Sequence, residues 1–163
     1  HTQQTRRHEQ LINRFDYDGE YGTVLNRLIC QAQLRHPLTV YGTGGQSRAF
    51  IHLRDSARCI RLALETPAEP GEKVRVFNQV AEVRTVRDLA EMIADRTGAE
   101  IDFMDNPRKE AAENALKVRN DGLRSLGFEP MGLSEGLIDE IDGTVARFQN
   151  RINTSAILSQ ARW

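Results

Sequence analysis

The sequence predicts an α/β or α+β fold, because amphipathic helical patterns alternate with short strand patterns along its length. Apolar residues recur at helical spacing in segments that begin near residues 23, 55 and 85. Runs with the composition of strands lie between or after them, at residues 38–41, 49–51, 74–78 and 101–104. We find no internal repeat or low-complexity segment that would suggest another architecture.

Capping residues support the predicted helices. Thr23 is a suitable N-cap for the first helix, and Asp55 for the second. Thr85, followed three residues later by Asp88, has the pattern of a capping box, and Gly98 is expected to end that third helix. Further short helices are predicted near residue 121 and over residues 134–148.

Composition excludes several classes of protein. A chain of 163 residues with 39% hydrophobic content can bury one ordinary core. The 22 basic and 23 acidic residues are spread evenly and leave a net charge of −1, so we do not expect a nucleic-acid partner. No apolar run is long enough to span a bilayer, and Cys30 and Cys59 lie in helical patterns, which predicts buried thiols and a cytoplasmic location.

Metal and hydrolase motifs are also missing from the sequence. Residues 16–20 resemble the start of a calcium loop, but Tyr21 stands where that loop needs glycine. The four histidines lack metal-ligand spacing, and we expect His52 to be a structural residue within its apolar segment. Neither G-x-S-x-G nor H-E-x-x-H occurs.

The segment from His36 to Asp55 is the most informative part of the chain. A strand pattern ends in the glycine turn at residues 42–45, and Arg48 follows within an otherwise apolar run. A dinucleotide-binding loop is not favoured, because Ser47 occupies the third glycine position and a strand follows. Two interpretations remain, a plain hairpin turn or a turn that presents Gln46 and Arg48 to a diphosphate.

Two other segments are ambiguous in the same way. Arg108 and Glu110 follow Asn106 in a charged stretch that is either a solvated loop or a clamp for phosphate and sugar hydroxyls. Asn78 ends a predicted strand, where α/β proteins commonly place ligand contacts.

The run PLTVYGTGGQSRAFIHLRDSARCIRLALE resembles the substrate domain of extended short-chain dehydrogenase/reductases that act on nucleotide sugars. VRVFNQ, and NPRKE ahead of GLRSLGF, follow in that family's order, and HEQLINRFDYDGEYGTVLNR resembles one member more than the rest. The resemblance implies the C-terminal substrate-binding part of a Rossmann-type fold. It also implies NAD as cofactor, UDP-glucose or a similar nucleotide sugar as substrate, and sulfite as co-substrate.

The resemblance further implies a set of residues that contact the nucleotide sugar. Those expected at the diphosphate or ribose are Thr23, Val24, Gln46, Arg48, Asn78, Arg108 and Glu110. The strand expected to contact uracil through its backbone consists of Thr39, Val40 and Tyr41.

The family's Y-x-x-x-K pair and glycine-rich NAD turn do not occur in this sequence. By the family's layout we therefore expect residues 1–22 to be a loop that covers the active site, and residues 23–163 to be the nucleotide-sugar-binding domain. An N-terminal half absent from this chain would bind NAD and supply the catalytic residues, and the complete enzyme would form a homodimer. The chain alone is then expected to be inactive.

Overall fold

The computed structural model describes residues 8–11, 15–19, 21–106, 111 and 113–158. Its helices are α1 (Val24–Gln33), α2 (Leu53–Glu65), α3 (Val86–Thr97), α4 (Asp121–Arg124) and α5 (Leu137–Phe148). Its strands are β1 (Leu38–Tyr41), β2 (Gly45–Phe50), β3 (Glu82–Thr85), β4 (Ile101–Met104) and β5 (Glu113–Asn114). Short 3₁₀ turns lie at Glu9–Leu11, Leu133–Glu135, Gln149–Arg151 and Thr154–Ala156. The predicted α/β class is confirmed.

The strands form two small sheets. In the first, β1 pairs in parallel with β4, with Leu38 opposite Ile101 and Tyr41 opposite Met104. In the second, β2 is central, antiparallel to β3 and parallel to β5. The glycine turn therefore joins strands of different sheets, and the hairpin interpretation was wrong.

The reason lies in the two edges of β1. The N–H groups of Leu38 and Gly42 donate to the carbonyls of Glu100 and Met104, at 2.7 and 2.8 Å, so one edge is occupied by β4 and its flanks. On the other edge the Thr39 N–H donates to the Gln31 side chain, at 3.1 Å. With α1 on that edge, β2 has no edge of β1 to pair with.

The main core lies between β1 and helices α1, α3 and α5. Leu28, Ile29, Val40, Leu89 and Ile93 are fully or almost fully buried there. In α1, Leu28 and Ile29 follow the buried Leu25 by three and four residues, and in α3 Ile93 follows Leu89 by four, which places these side chains on the inward face of each helix. This core fixes the helices that surround β1.

A second, smaller cluster lies beside α2. Cys59, Leu123 and Phe128 are buried in it, and Phe77 packs against them. Both cysteines are buried free thiols, as predicted, and burial raises the pKa of the Cys30 thiol from 9.0 to about 12. A protonated, enclosed thiol is a poor nucleophile.

The helix caps confirm most of the sequence predictions. The Thr23 hydroxyl accepts from the Asn26 N–H at 3.3 Å, and Thr85 and Asp88 form the predicted capping box. Gly98 ends α3 in the left-handed conformation, at φ 72°.

The start of α2 differs from the prediction. His52, not Asp55, is the N-cap: its Nδ1 accepts from the Arg54 N–H at 3.0 Å. Since Nδ1 is an acceptor, the ring proton lies on Nε2, which is 3.1 Å from Oε2 of Glu140. Asp55 lies in the first turn of the helix, where its carboxylate accepts from the Met131 N–H at 2.7 Å. His52 is thus the satisfied structural histidine that we predicted.

The predicted strand at 74–78 was also wrong. Residues 73–80 have no secondary structure, and none of the hydrogen bonds that join two backbone groups of described residues involves 73–80. Val74 and Val76 are 88% and 83% exposed. The alternation that predicted a strand is present, but a strand needs a partner, and no described segment supplies one.

Two candidate features are not found among the described residues. No helix in that part of the chain is long and apolar enough to cross a bilayer. No group of three or more His, Cys, Asp or Glu side chains there is placed to hold a metal ion.

Gly44 is a position where the fold requires glycine. Its φ is +72°, and an added Cβ would lie 2.7 Å from Cγ1 of Val40. We expect Gly44→Ala to lower the free energy of unfolding by about 2–4 kcal/mol, from left-handed strain together with overpacking. Urea unfolding followed by circular dichroism measures this.

Gly98 provides the matched control. It has the same φ of +72°, but an added Cβ meets no atom within 4 Å. Gly98→Ala should therefore lose only the strain contribution, about 1–2 kcal/mol. Equal losses in the two variants would contradict the role assigned to the Val40 contact.

Candidate functional site

Helix α1 runs antiparallel to β1, and this brings its N-terminus to the carboxyl end of the strand. Arg27, in the first turn, has its guanidinium 4.8 Å from the centre of the Tyr41 ring. Gln31, one turn later, donates to the Thr39 hydroxyl at 2.8 Å. Residues later in α1 therefore contact residues earlier in β1. Thr23 and Val24, at the start of α1, thus lie at the Tyr41 end of the strand.

Helix α3 begins at the same edge. The Arg87 N–H in its first turn donates to the Gly44 carbonyl at 3.0 Å. Two helix N-termini therefore converge near the carboxyl ends of β1 and β4. The partial positive charge of a helix N-terminus favours anions, and the first turn of α1 contains no acidic residue to offset it.

The glycine turn is held in place by Arg87. Its Nε and Nη2 donate to the Thr43 carbonyl at 3.0 and 2.7 Å, and its guanidinium lies 5.3 Å from the centre of the Phe103 ring. No sequence pattern indicates a role for Arg87, because its contact joins elements that are more than forty positions apart. The hydrogen bonds from Arg87 hold the turn in a fixed position at one side of the site.

Gln46 lies beside this turn. It is 5% exposed, and its Nε2 lies 3.9 Å from where a Cβ on Gly42 would be. Asn106, at the end of β4, approaches the same point, with its Cβ at 3.8 Å. The structure therefore brings Gln46, the turn and the carboxyl ends of β1 and β4 together.

Arg48 is inside β2 and is half-buried. It shares a face of the strand with Gln46, because side chains two residues apart point the same way. Its Nη1 donates to the Ser47 carbonyl at 3.0 Å, and its register partner on β3 is Arg84, whose Nε is 2.7 Å from Glu82. The Glu82 carboxylate offsets the second guanidinium of this cross-strand pair.

Asn78 is separate from these residues. Ala81, three positions later, donates to the Phe50 carbonyl at the end of β2, while Gln46 lies near its start. Four residues of strand amount to roughly 13 Å. The Asn78 side chain donates to the Arg119 carbonyl at 2.9 Å.

Arg108 and Glu110 lie outside the described residues. The described residues on either side are both close to the glycine turn: Asn106 approaches Gly42, and Glu113 pairs with Gly45. Ser47 also donates to the Asn114 side chain, at 2.6 Å.

A clamp between α1 and β1 was not predicted from the sequence. Arg27 donates to the Thr39 carbonyl at 3.1 Å, while Gln31 accepts from the Thr39 N–H and donates to its hydroxyl. Both side chains are buried, at 7% and 2% exposure. The sequence does contain one sign of this clamp: two polar residues lie four positions apart on the apolar face of a predicted helix.

The described residues do not fit NAD through the glycine turn. A dinucleotide turn presents open backbone N–H groups at the start of a helix. Here the turn leads into β2, and Arg87 occupies its Thr43 carbonyl. We therefore assign no cofactor contact to this turn.

A parallel strand pair thus packs against helices that start near the strands' carboxyl ends, the edge at which α/β proteins commonly bind ligands. Residues 7–78 match the NAD dependent epimerase/dehydratase family. Over these residues the chain carries a domain of this family.

Two curated relatives are similar to this chain over most of its length. The chain is 41% identical over 167 residues to the chloroplastic UDP-sulfoquinovose synthase of Spinacia oleracea, which covers 99% of this chain and 34% of that protein. It is 46% identical over 127 residues to UDP-sulfoquinovose synthase of Sulfolobus acidocaldarius, covering 75% of this chain and 32% of that protein. The chain spans about a third of the length of these curated relatives.

Solved structures agree on the fold. A variant of UDP-glucuronic acid 4-epimerase from Bacillus cereus, solved with UDP-4-deoxy-4-fluoro-glucuronic acid and NAD, superposes with a TM-score of 0.60 at 26% identity. The match covers 80% of this chain and 43% of that one. These findings confirm the family resemblance and the Rossmann-type fold class predicted from the sequence.

Proposed function

We propose that this chain is the nucleotide-sugar-binding part of an NAD-dependent enzyme that makes UDP-sulfoquinovose from UDP-glucose and sulfite for sulfolipid biosynthesis. The observation that carries the proposal is the 41% and 46% identity to UDP-sulfoquinovose synthases from a plant and an archaeon. In the proposed reaction the sugar is oxidised at C4, loses water across C5 and C6, adds sulfite and regains the hydride. The chain acts in a cytoplasmic setting.

In this proposal the chain's own role is to bind and orient the substrate. The diphosphate lies at the N-terminus of α1, near Thr23 and Val24, and is held by Gln46 and Arg48 on one face of β2. Arg108 and Glu110 extend the same site, which is supported by the positions of their described neighbours beside the glycine turn. Fixing both ends of a substrate lowers the barrier by removing its freedom to reorient.

Asn78 has a weaker case as a ligand residue. Its separation from Gln46 and its hydrogen bond to the Arg119 carbonyl favour a structural role in this chain. We propose that it meets phosphate only if residues 73–80 are rearranged against another part of the enzyme.

NAD and the catalytic groups are proposed to come from residues outside this chain, since Y-x-x-x-K does not occur in it. The surface for that contact is the outward stripe of α2 with residues 73–80, which have no strand partner among the described residues. Leu53, Ile60 and Leu64 on this stripe are 66%, 54% and 76% exposed. An exposed apolar helix stripe, together with a segment that has no strand partner in the described part of the chain, suits contact with another protein surface.

Calorimetry with UDP-glucose tests the binding proposal. We expect saturable binding by the chain and a loss of about tenfold in affinity for Arg48→Ala, because a charge-assisted hydrogen bond contributes about 1.5–3 kcal/mol. Arg108→Ala should weaken binding similarly. Arg61→Ala is the matched control: Arg61 is exposed on α2 and pairs with Glu65. Weak heats that are identical in all four proteins would remove the binding claim.

Product analysis of the complete enzyme tests the reaction. With NAD, UDP-glucose and sulfite, we expect UDP-sulfoquinovose, and its formation should stop when sulfite is left out. The structural likeness to UDP-glucuronic acid 4-epimerase favours a different epimerase or dehydratase as the second candidate. An epimerised or dehydrated sugar formed equally with and without sulfite would support that candidate. Binding without any turnover would instead favour a non-catalytic UDP-sugar-binding module.

Residues 1–22 are proposed to cover the sugar end of the site. Part of this segment is attached to the scaffold: Asn26 donates to the Asp16 carbonyl at 2.9 Å, and Gly19 donates to the Ala156 carbonyl at 2.9 Å. In the complete enzyme, an Asp16→Ala, His8→Ala double variant should lower kcat by about tenfold, since a cover that excludes water strengthens polar contacts within the site. Unchanged turnover would refute this role.

A further inference from the structure

The outward edge of β1 is set by two side chains of α1. In this strand the peptide groups alternate: those of Leu38 and Gly42 point to β4, so that of Thr39 points the other way. An open edge of this kind normally pairs with another strand or with a ligand. Here the Gln31 side chain accepts from the Thr39 N–H, and Arg27 donates to the Thr39 carbonyl.

Gln31 therefore accepts the hydrogen bond from Thr39 that a neighbouring strand or a ligand would otherwise accept. Its amide accepts from the Thr39 N–H at 3.1 Å and donates to the Thr39 hydroxyl at 2.8 Å. Its 2% exposure means that a nucleobase cannot reach Thr39 without displacing it. The next outward-facing peptide group on β1 is that of Tyr41, whose ring lies against Arg27.

We infer that Arg27 and Gln31 are positioning residues for base recognition: they close β1 at Thr39, fix its register, and direct the base to the Tyr41 end of the strand. This deepens the proposed function and rests on it. It also changes the expected part of Thr39, which supports the strand instead of contacting uracil.

The chemistry of the base makes the inference measurable. A strand edge offers an N–H donor and a carbonyl acceptor, which match the O4 acceptor and N3–H donor of uracil. Cytosine presents an amino donor and a ring-nitrogen acceptor at the same positions and is mismatched. A strand held in a fixed register should therefore prefer UDP to CDP, and loss of the clamp should reduce that preference.

The experiment compares the dissociation constants of UDP and CDP by calorimetry in four variants. Gln31→Leu and Arg27→Met should each reduce the preference for UDP about tenfold, and Arg27→Lys, which keeps a donor, should lose less. Gln33→Leu is the matched control, since Gln33 is on the same helix but bonds to Asp142 of α5. A preference that is unchanged, or UDP binding that tightens when Gln31 is removed, would show that Thr39 contacts the base directly and would overturn the inference.

A second measurement needs no substitution and so does not depend on whether a variant folds. In ¹⁵N spectra of the wild-type chain, UDP should shift the Tyr41 amide while the Thr39 amide and the Gln31 side-chain amide stay unchanged and protected from exchange. A large shift at Thr39 with release of Gln31 would overturn the inference while leaving UDP binding intact. No response to either UDP or CDP would instead refute the proposed function, and the inference with it.

Discussion

The clamp of Arg27 and Gln31 on Thr39 is the interaction on which the arrangement of this chain depends. It joins a buried guanidinium and a buried amide to the backbone of a buried strand. Burying such groups without partners would cost several kcal/mol, so the contact permits one alignment of α1 on β1 and penalises others. A slip of one residue would turn Thr39 to the opposite edge and leave both side chains without it.

That alignment determines where a ligand can bind. Because α1 is antiparallel to β1, its N-terminus lies at the same edge as the carboxyl ends of β1 and β4. Arg87 places the start of α3 there through the glycine turn. The N-terminus of α1, the glycine turn held by Arg87 and the start of β2 thus lie toward the same edge, which is where we propose that the diphosphate binds. The site is thus a consequence of helix direction as well as of individual polar residues.

Local interactions could be predicted from the sequence, whereas interactions between distant segments could not. Thr23, the Thr85 capping box and Gly98 were predictable because each acts within a few residues of its own position. The separation of β1 and β2 into different sheets was not, because it depends on β4 and on Gln31. For α2, the spacing of Asp55 gave the wrong cap, since that carboxylate is used by Met131 from a distant loop. Arg108 and Glu110 remain predictions.

The exposure of residues 73–80, which do not form the predicted strand, is consistent with our proposal that another part of the enzyme binds NAD. Val74 and Val76 alternate as strand residues do, and Leu53, Ile60 and Leu64 form an apolar stripe on α2. All five of these side chains are exposed. The spacing of apolar residues in a segment reflects how that segment is buried in the complete folded protein. Helices α1, α3 and α5 bury their apolar faces against β1 within this chain, whereas Phe103 and Met104 of β4 are 50% and 38% exposed. Exposed apolar side chains also lie on α2 and residues 73–80, the surface we assign to the part of the enzyme that binds NAD, and closing that surface would set the distance between cofactor and sugar.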